Sequence, residues 1–161
     1  MAGYSQGHDN QPGLPPVGTL WRGLSPELKR ELVAALWKDS QAKESRQRLT
    51  LLVSRHFKIR LISLKDALVV IGHASKLPSL PEDLALSLSR VYLQRAQRPM
   101  LAAFLDALGV THENGMYETE LPVQQRQQLQ KAAVVLRARY PEPLIRLYFS
   151  VLFHTNKAWH A

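Results

Sequence analysis

The 161-residue sequence contains no cysteine. This absence excludes disulfide bonds, thiolate metal sites and a cysteine nucleophile, and it is compatible with a reducing cytoplasm. The apolar runs of the sequence are all shorter than the roughly 20 residues needed to span a bilayer. Its first residues lack the apolar core of a signal peptide. We therefore expect a cytoplasmic protein without a membrane partner.

Signatures of common catalytic and cofactor sites are absent as well. The sequence has no G-x-S-x-G, no Walker loop and no G-x-G-x-x-G. None of its six histidines forms a pair at metal-ligand spacing, and the closest two, His154 and His160, are six residues apart. The sequence predicts no catalytic residue, no metal ligand and no cofactor, which favours a non-enzymatic protein.

Basic residues outnumber acidic ones by 21 to 13, which gives a net charge of +8. They concentrate on segments predicted as helices, whereas residues 101–120 carry four acidic residues and no basic one. Basic helices of this kind predict weak contact with nucleic acid or another polyanion. The candidate contact residues are Arg46, Arg48, Arg55, Arg90 and Arg95.

Helix-start signals divide most of the chain into helices. Residues 1–19 hold four of the eight glycines and three of the ten prolines, which predicts a flexible N-terminal arm. Residues 20–161 predict a single all-α domain, an irregular orthogonal bundle of six to seven helices. Ser25 followed by Pro26 predicts the start of a first helix over 26–38, and a second follows over 41–57.

The segment after the second helix allows two interpretations. Residues 57–62, FKIRLI, alternate in polarity and are also compatible with a short strand that pairs with residues 116–121 in a two-stranded ribbon. In that ribbon the facing charges are Lys58 and Arg60 on one strand and Glu118 and Glu120 on the other. A third helix then begins with Ser63 as N-cap, and because it is apolar on most sides we expect it to lie deep.

The stretch THENGMYETE, residues 111–120, interrupts the helical pattern. His112 and Glu113 begin like a His-Glu-x-x-His zinc helix, but position 116 is Met. Asn114 and Gly115 both tolerate positive φ, so the stretch predicts a turn instead of a metal site. For a simple turn, we expect His112→Ala to be tolerated and a branched residue at Gly115 to be harmful.

Polar side chains also occur on two helices that are predicted to be largely apolar. His73, on the third helix, is interpreted as a core or boundary histidine. Arg146, Ser150 and His154 follow i, i+4, i+8 spacing on the last helix, so they form either a solvent-facing stripe or one wall of a pocket. Such a pocket suits a carboxylate or phosphate.

The sequence thus leaves three functions open. The first is a non-enzymatic cytoplasmic helical module that binds a protein partner or associates with itself. The second is a non-specific nucleic-acid or polyanion binder that uses the basic helices. The third is a small anionic-ligand binder or enzyme around Arg146.

Overall fold

The structure, a computed structural model, describes residues 16–117 and 126–156 and is all-α over these ranges. The all-α prediction is therefore confirmed. The described residues contain eight α-helices, two short 3-10 helices, Trp21–Gly23 and Leu61–Leu64, and no strand. The α-helices are α1 Val17–Leu20, α2 Pro26–Lys38, α3 Lys43–Phe57, α4 Ala67–Ala74, α5 Glu82–Ala96, α6 Arg98–Leu108, α7 Arg126–Arg137 and α8 Glu142–Thr155.

Helix α2 begins and ends where the sequence predicts. The Ser25 side chain accepts a hydrogen bond from the Leu28 N–H at 3.1 Å, and Pro26 occupies the first helical position, where no N–H is needed. Leu32 and Leu36, one turn apart, lie on the buried face of this helix. A local cap and a buried apolar face thus specify the same helix.

Residues 57–62 do not form a strand, so the strand interpretation of this segment is wrong. Lys58 adopts a left-handed conformation, with φ of 56°, and ends α3. Ser54 then holds Ile59 through two hydrogen bonds, because its carbonyl accepts the Ile59 N–H and its hydroxyl donates to the Ile59 carbonyl. The chain turns into the 3-10 helix Leu61–Leu64. Glu118 and Glu120, the proposed ribbon partners, lie outside the described residues.

Helix α1 was not predicted, because its residues 17–19 fall inside the segment assigned to the flexible arm. Val17 and Gly18 are buried, and their N–H groups donate to the Glu82 carboxylate at 3.0 Å and 2.7 Å. The Trp21 indole, which is also buried, donates to the Leu77 carbonyl at 2.8 Å. Residues 17–19 are thus part of the folded body, and residues 1–15 of the predicted arm lie outside the described residues.

Helix α4 does not lie deep, contrary to the prediction. It begins after Asp66, whose side chain accepts the Leu68 N–H at 2.9 Å, and not after Ser63. Val70 and Ala74, one turn apart, are its buried residues, whereas the Leu68 side chain is 76% exposed. An eight-residue helix that buries one face leaves its other apolar residues in solvent.

The chain divides into two compact units, Val17–Gln97 and a second that begins at Arg98. The prediction of one domain over 20–161 stays a prediction.

In the second unit, Phe104 packs edge-to-face against Tyr148 and Phe149, with ring centroids 5.2 Å and 5.4 Å away. Burial raises the pKa of Tyr148.

No helix in the part of the chain that the structure describes is long and apolar enough to cross a membrane.

Candidate functional site

The stretch at 111–116 is a tight turn. Glu113 and Met116 exchange two backbone hydrogen bonds, of 2.7 Å and 3.0 Å, and form an isolated antiparallel bridge. The two residues between them, Asn114 and Gly115, have φ of 51° and 85°. Positive φ at both central residues is the conformation for which Asn-Gly is favoured in two-residue turns. The turn interpretation therefore agrees with the backbone.

His112 contributes more to this turn than the sequence indicates. Its Nδ1 accepts the Gly115 N–H at 3.0 Å, and its Nε2 lies 2.7 Å from Asp106 Oδ1. Because Nδ1 is the acceptor, the ring hydrogen belongs on Nε2 and is donated to the carboxylate. The expectation that His112→Ala is tolerated therefore overlooks two hydrogen bonds.

Among the described residues, no group of three or more His, Asp or Glu side chains could hold a metal ion.

The candidate polyanion contacts lie on two helices of the first unit, with three arginines on α3 and two on α5. Arg46 donates through Nη1 to the carbonyl of Leu36, at 3.3 Å, and to that of Asp39. These carbonyls lie at the C-terminal end of α2, where they also accept the backbone N–H groups of Asp39 and Ala42, respectively. Arg46 is therefore a C-terminal cap for α2.

Arg48 is also bound within the chain. Its two terminal nitrogens lie 2.8 Å and 3.2 Å from the carboxylate oxygens of Asp83, at the start of α5. The hydrogen bond from Arg48 lowers the pKa of Asp83. Arg46 and Arg48 are two residues apart, which places them roughly 200° apart around the helix. The α3 arginines therefore do not form one continuous basic face.

Arg55, Arg90 and Arg95 are exposed. Arg55 follows Arg48 by two turns, on the same side of α3. The structure thus brings some of the predicted basic contacts into solvent and engages others in bonds between helices.

The polar line on α8 does not share one environment. Arg146 and His154 are exposed, whereas Ser150 between them is buried. His73 is half-buried, and its ring centroid lies 5.2 Å from that of Phe57. This position agrees with a boundary histidine.

Large apolar side chains in solvent are the feature that the sequence did not reveal. In the Val17–Gln97 unit they all fall between residues 51 and 69, on α3, on the 3-10 helix Leu61–Leu64 and on α4, three elements that pack against one another. Ile62 is 68% exposed and Leu68 is 76% exposed. We call this set the exposed apolar surface, and its residues are Leu51, Leu61, Ile62, Leu68 and Val69.

A groove of about 420 Å³ adjoins this surface and shares Leu51 and Leu61 with it. Most of its lining residues on α3 recur at the spacing of one helical face, which therefore forms one wall of the groove. We call it the α3 groove, and it is lined by Trp37, Lys43, Arg46, Gln47, Thr50, Leu51, Leu61 and Leu64.

Comparison of the chain with protein-family models, with curated proteins and with solved structures found no match. Its function must therefore be inferred from the chemistry of the described residues.

The turn at 111–116 can be tested with a matched pair of glycines. Gly109 and Gly115 both have positive φ, of 72° and 85°, but only at Gly115 would a Cβ meet neighbouring atoms, at 2.9 Å from the Arg98 carbonyl oxygen and from Leu101 Cβ. We expect Gly109→Ala to lower the free energy of unfolding by about 1 kcal/mol, the conformational cost alone. Gly115→Ala should cost at least about 1 kcal/mol more, because the neighbours must also shift. Urea unfolding measures both, and equal costs would contradict the close packing of the turn.

Nucleic-acid binding is expected to be weak and independent of sequence, because the arginines of α3 do not form one continuous basic face. We expect fluorescence anisotropy with single- and double-stranded probes to give a dissociation constant no tighter than about 10⁻⁶ M at physiological salt. The affinity should fall with salt, with a slope of roughly −0.9 per phosphate contact on double-stranded DNA. Submicromolar binding that survives physiological salt and is lost in Arg55→Glu, with the fold intact, would contradict this expectation.

Proposed function

We propose that this chain is a non-enzymatic, cytoplasmic helical module that binds a protein partner, or a second copy of itself, through the exposed apolar surface. The observation that supports this proposal is the position of the exposed apolar side chains of the Val17–Gln97 unit. All of the large ones lie on three adjoining elements between residues 51 and 69. Exposed apolar residues scattered singly are normal, but a cluster of them is typical of an interaction site.

Burial of this surface by a partner is energetically favourable. Each square ångström of apolar surface removed from water contributes roughly 25 cal/mol. Ile62 and Leu68 are the most exposed members, so they have the most area to lose on binding. The adjoining α3 groove gives the surface an open depression in which a partner side chain contacts residues of α3 and of the 3-10 helix Leu61–Leu64.

The other two candidate functions have less support. A nucleic-acid binder would use a continuous basic face, whereas Arg46 and Arg48 lie roughly 200° apart around α3 and Arg48 pairs with Asp83. A ligand site around Arg146 would draw on Ser150 and His154, whose side chains differ in exposure along α8. The protein-interaction proposal uses the observed surface without requiring a rearrangement of these residues.

Photo-crosslinking tests the proposal at two exposed positions of the same unit. We expect Ile62→p-benzoylphenylalanine to give a discrete higher-mass adduct on irradiation of cells that produce the variant, because this side chain lies in the proposed interface. Arg22→p-benzoylphenylalanine, an exposed position on the 3-10 helix Trp21–Gly23, which carries none of the exposed apolar surface, is the control and should give none. An adduct of twice the chain mass indicates self-association, and any other discrete mass indicates a different partner. Absence of an adduct from position 62, or equal adducts from both positions, would contradict the proposal.

A further inference from the structure

We infer that the α3 groove accepts an acidic amphipathic helix of the partner, with large apolar side chains entering the groove and carboxylates meeting its basic edge. This inference rests on the proposed function, and it specifies the chemistry of the partner segment. Three properties of the groove support it: the sign of its charge, the apolar character of its walls and its shape.

The charge near the groove is basic. Lys43 and Arg46 are the charged residues of its lining. Residues 55–65, which lead into and through the 3-10 helix, carry four basic residues and no acidic one. Glu44, the acidic residue next to Lys43, lies one turn before Arg48, and its charge acts on that guanidinium, on the side of α3 away from Arg46. An acidic partner is therefore complementary to this edge.

Arg46 is held in place before any partner binds. Its Nη1 donates to the carbonyls of Leu36 and Asp39, which fixes the guanidinium at the end of α2. A guanidinium has five N–H donors, so further donors are available to a carboxylate. Because the side chain is already ordered by these bonds, less conformational entropy is lost when it meets the partner. Lys43 is exposed and adds a second positive charge one turn away.

The walls of the groove are largely apolar. Trp37 lies at the end of α2, Leu51 on α3, and Leu61 and Leu64 on the 3-10 helix. Trp37, Leu51 and Leu61 are at least partly exposed, so a partner that fills the groove removes apolar area of these side chains from water. The volume of about 420 Å³ lies within the range of about 300–1,000 Å³ typical of binding pockets.

The shape favours a helix over a strand or a membrane surface. The α3 wall extends from Lys43 to Leu51, a length of about 12 Å or two helical turns. Two turns match apolar anchors at i, i+4 and i+7 of a bound helix. The described residues contain no strand edge to which an extended peptide could add. A bilayer surface presents lipid headgroups and not apolar side chains at this spacing.

A selection from an unbiased library tests the inference. Peptides of about 16 random residues are displayed and selected on the full-length protein, and their affinities are then measured by fluorescence anisotropy. We expect the selected peptides to have a net negative charge and large apolar residues at i, i+3 or i+4, and i+7. Lys43→Glu should weaken their binding at least tenfold. Arg22→Glu, which changes the net charge by the same amount at an exposed position outside the groove lining and residues 55–65, should weaken it less than threefold.

Each remaining outcome has a distinct meaning. Peptides that lose affinity in Leu61→Ser but are neutral or basic would overturn the acidic-helix inference and leave the proposed interaction surface standing. Selection of no peptide, or of peptides that bind Leu61→Ser and Lys43→Glu as well as the natural chain, would overturn both. Binding to vesicles of phosphatidylcholine with about 30% phosphatidylserine, lost in Lys43→Glu, would replace the helix by a membrane surface. Circular dichroism melting of each variant verifies that it is folded.

Discussion

The adjacent carboxylates of Glu82 and Asp83, at the start of α5, join three helices of the Val17–Gln97 unit. Glu82 accepts the N–H groups of Val17 and Gly18, which lie in the first turn of α1 and have no partner within that helix. Asp83 accepts from Arg48 on α3. Negative charge near a helix start is favourable, so the two acidic residues also suit the N-terminus of α5 itself.

The arrangement of the unit has a direct consequence for its surface. Helix α4 has eight residues and buries Val70 and Ala74 along one face. The segment around it is rich in apolar residues, more than one helical face can bury, so Ile62 and Leu68 remain in solvent. No other element of the unit fills the α3 groove either. These uncovered apolar side chains are the physical basis for the interaction proposed for this surface.

Local signals in the sequence predict much of the fold. Ser25 and Pro26 specify the start of α2, and Asn114 with Gly115 specifies the turn, because each depends on the conformation of a few neighbouring residues. Contacts between distant residues were not predictable. Glu82 lies 64 residues from Gly18, and no local pattern indicates that its side chain caps α1. The role of Arg46 as a cap for α2 likewise depends on how two helices meet.

At the candidate site, too, local features were predictable from the sequence and contacts between distant residues were not. Apolar periodicity identified a helix near residues 64–75, but it cannot show which faces find neighbours, so the prediction that this helix lies deep was wrong. The Asp66 cap, a local signal at the true start of α4, would have indicated a shorter helix with less to bury. The exposed apolar surface therefore required the structure.

Unfolding of a matched pair of valine variants tests most directly whether this surface is unused by the fold. Val69 and Val70 are neighbours on α4, with side chains 39% and 1% exposed. Valine and threonine are similar in shape, so Val→Thr changes polarity with little change in volume. The structure predicts that Val69→Thr changes the free energy of unfolding by less than about 0.5 kcal/mol, whereas Val70→Thr lowers it by about 1–3 kcal/mol. Equal losses, or a larger loss for Val69→Thr, would show that the surface is buried in the folded protein and would contradict its role in binding.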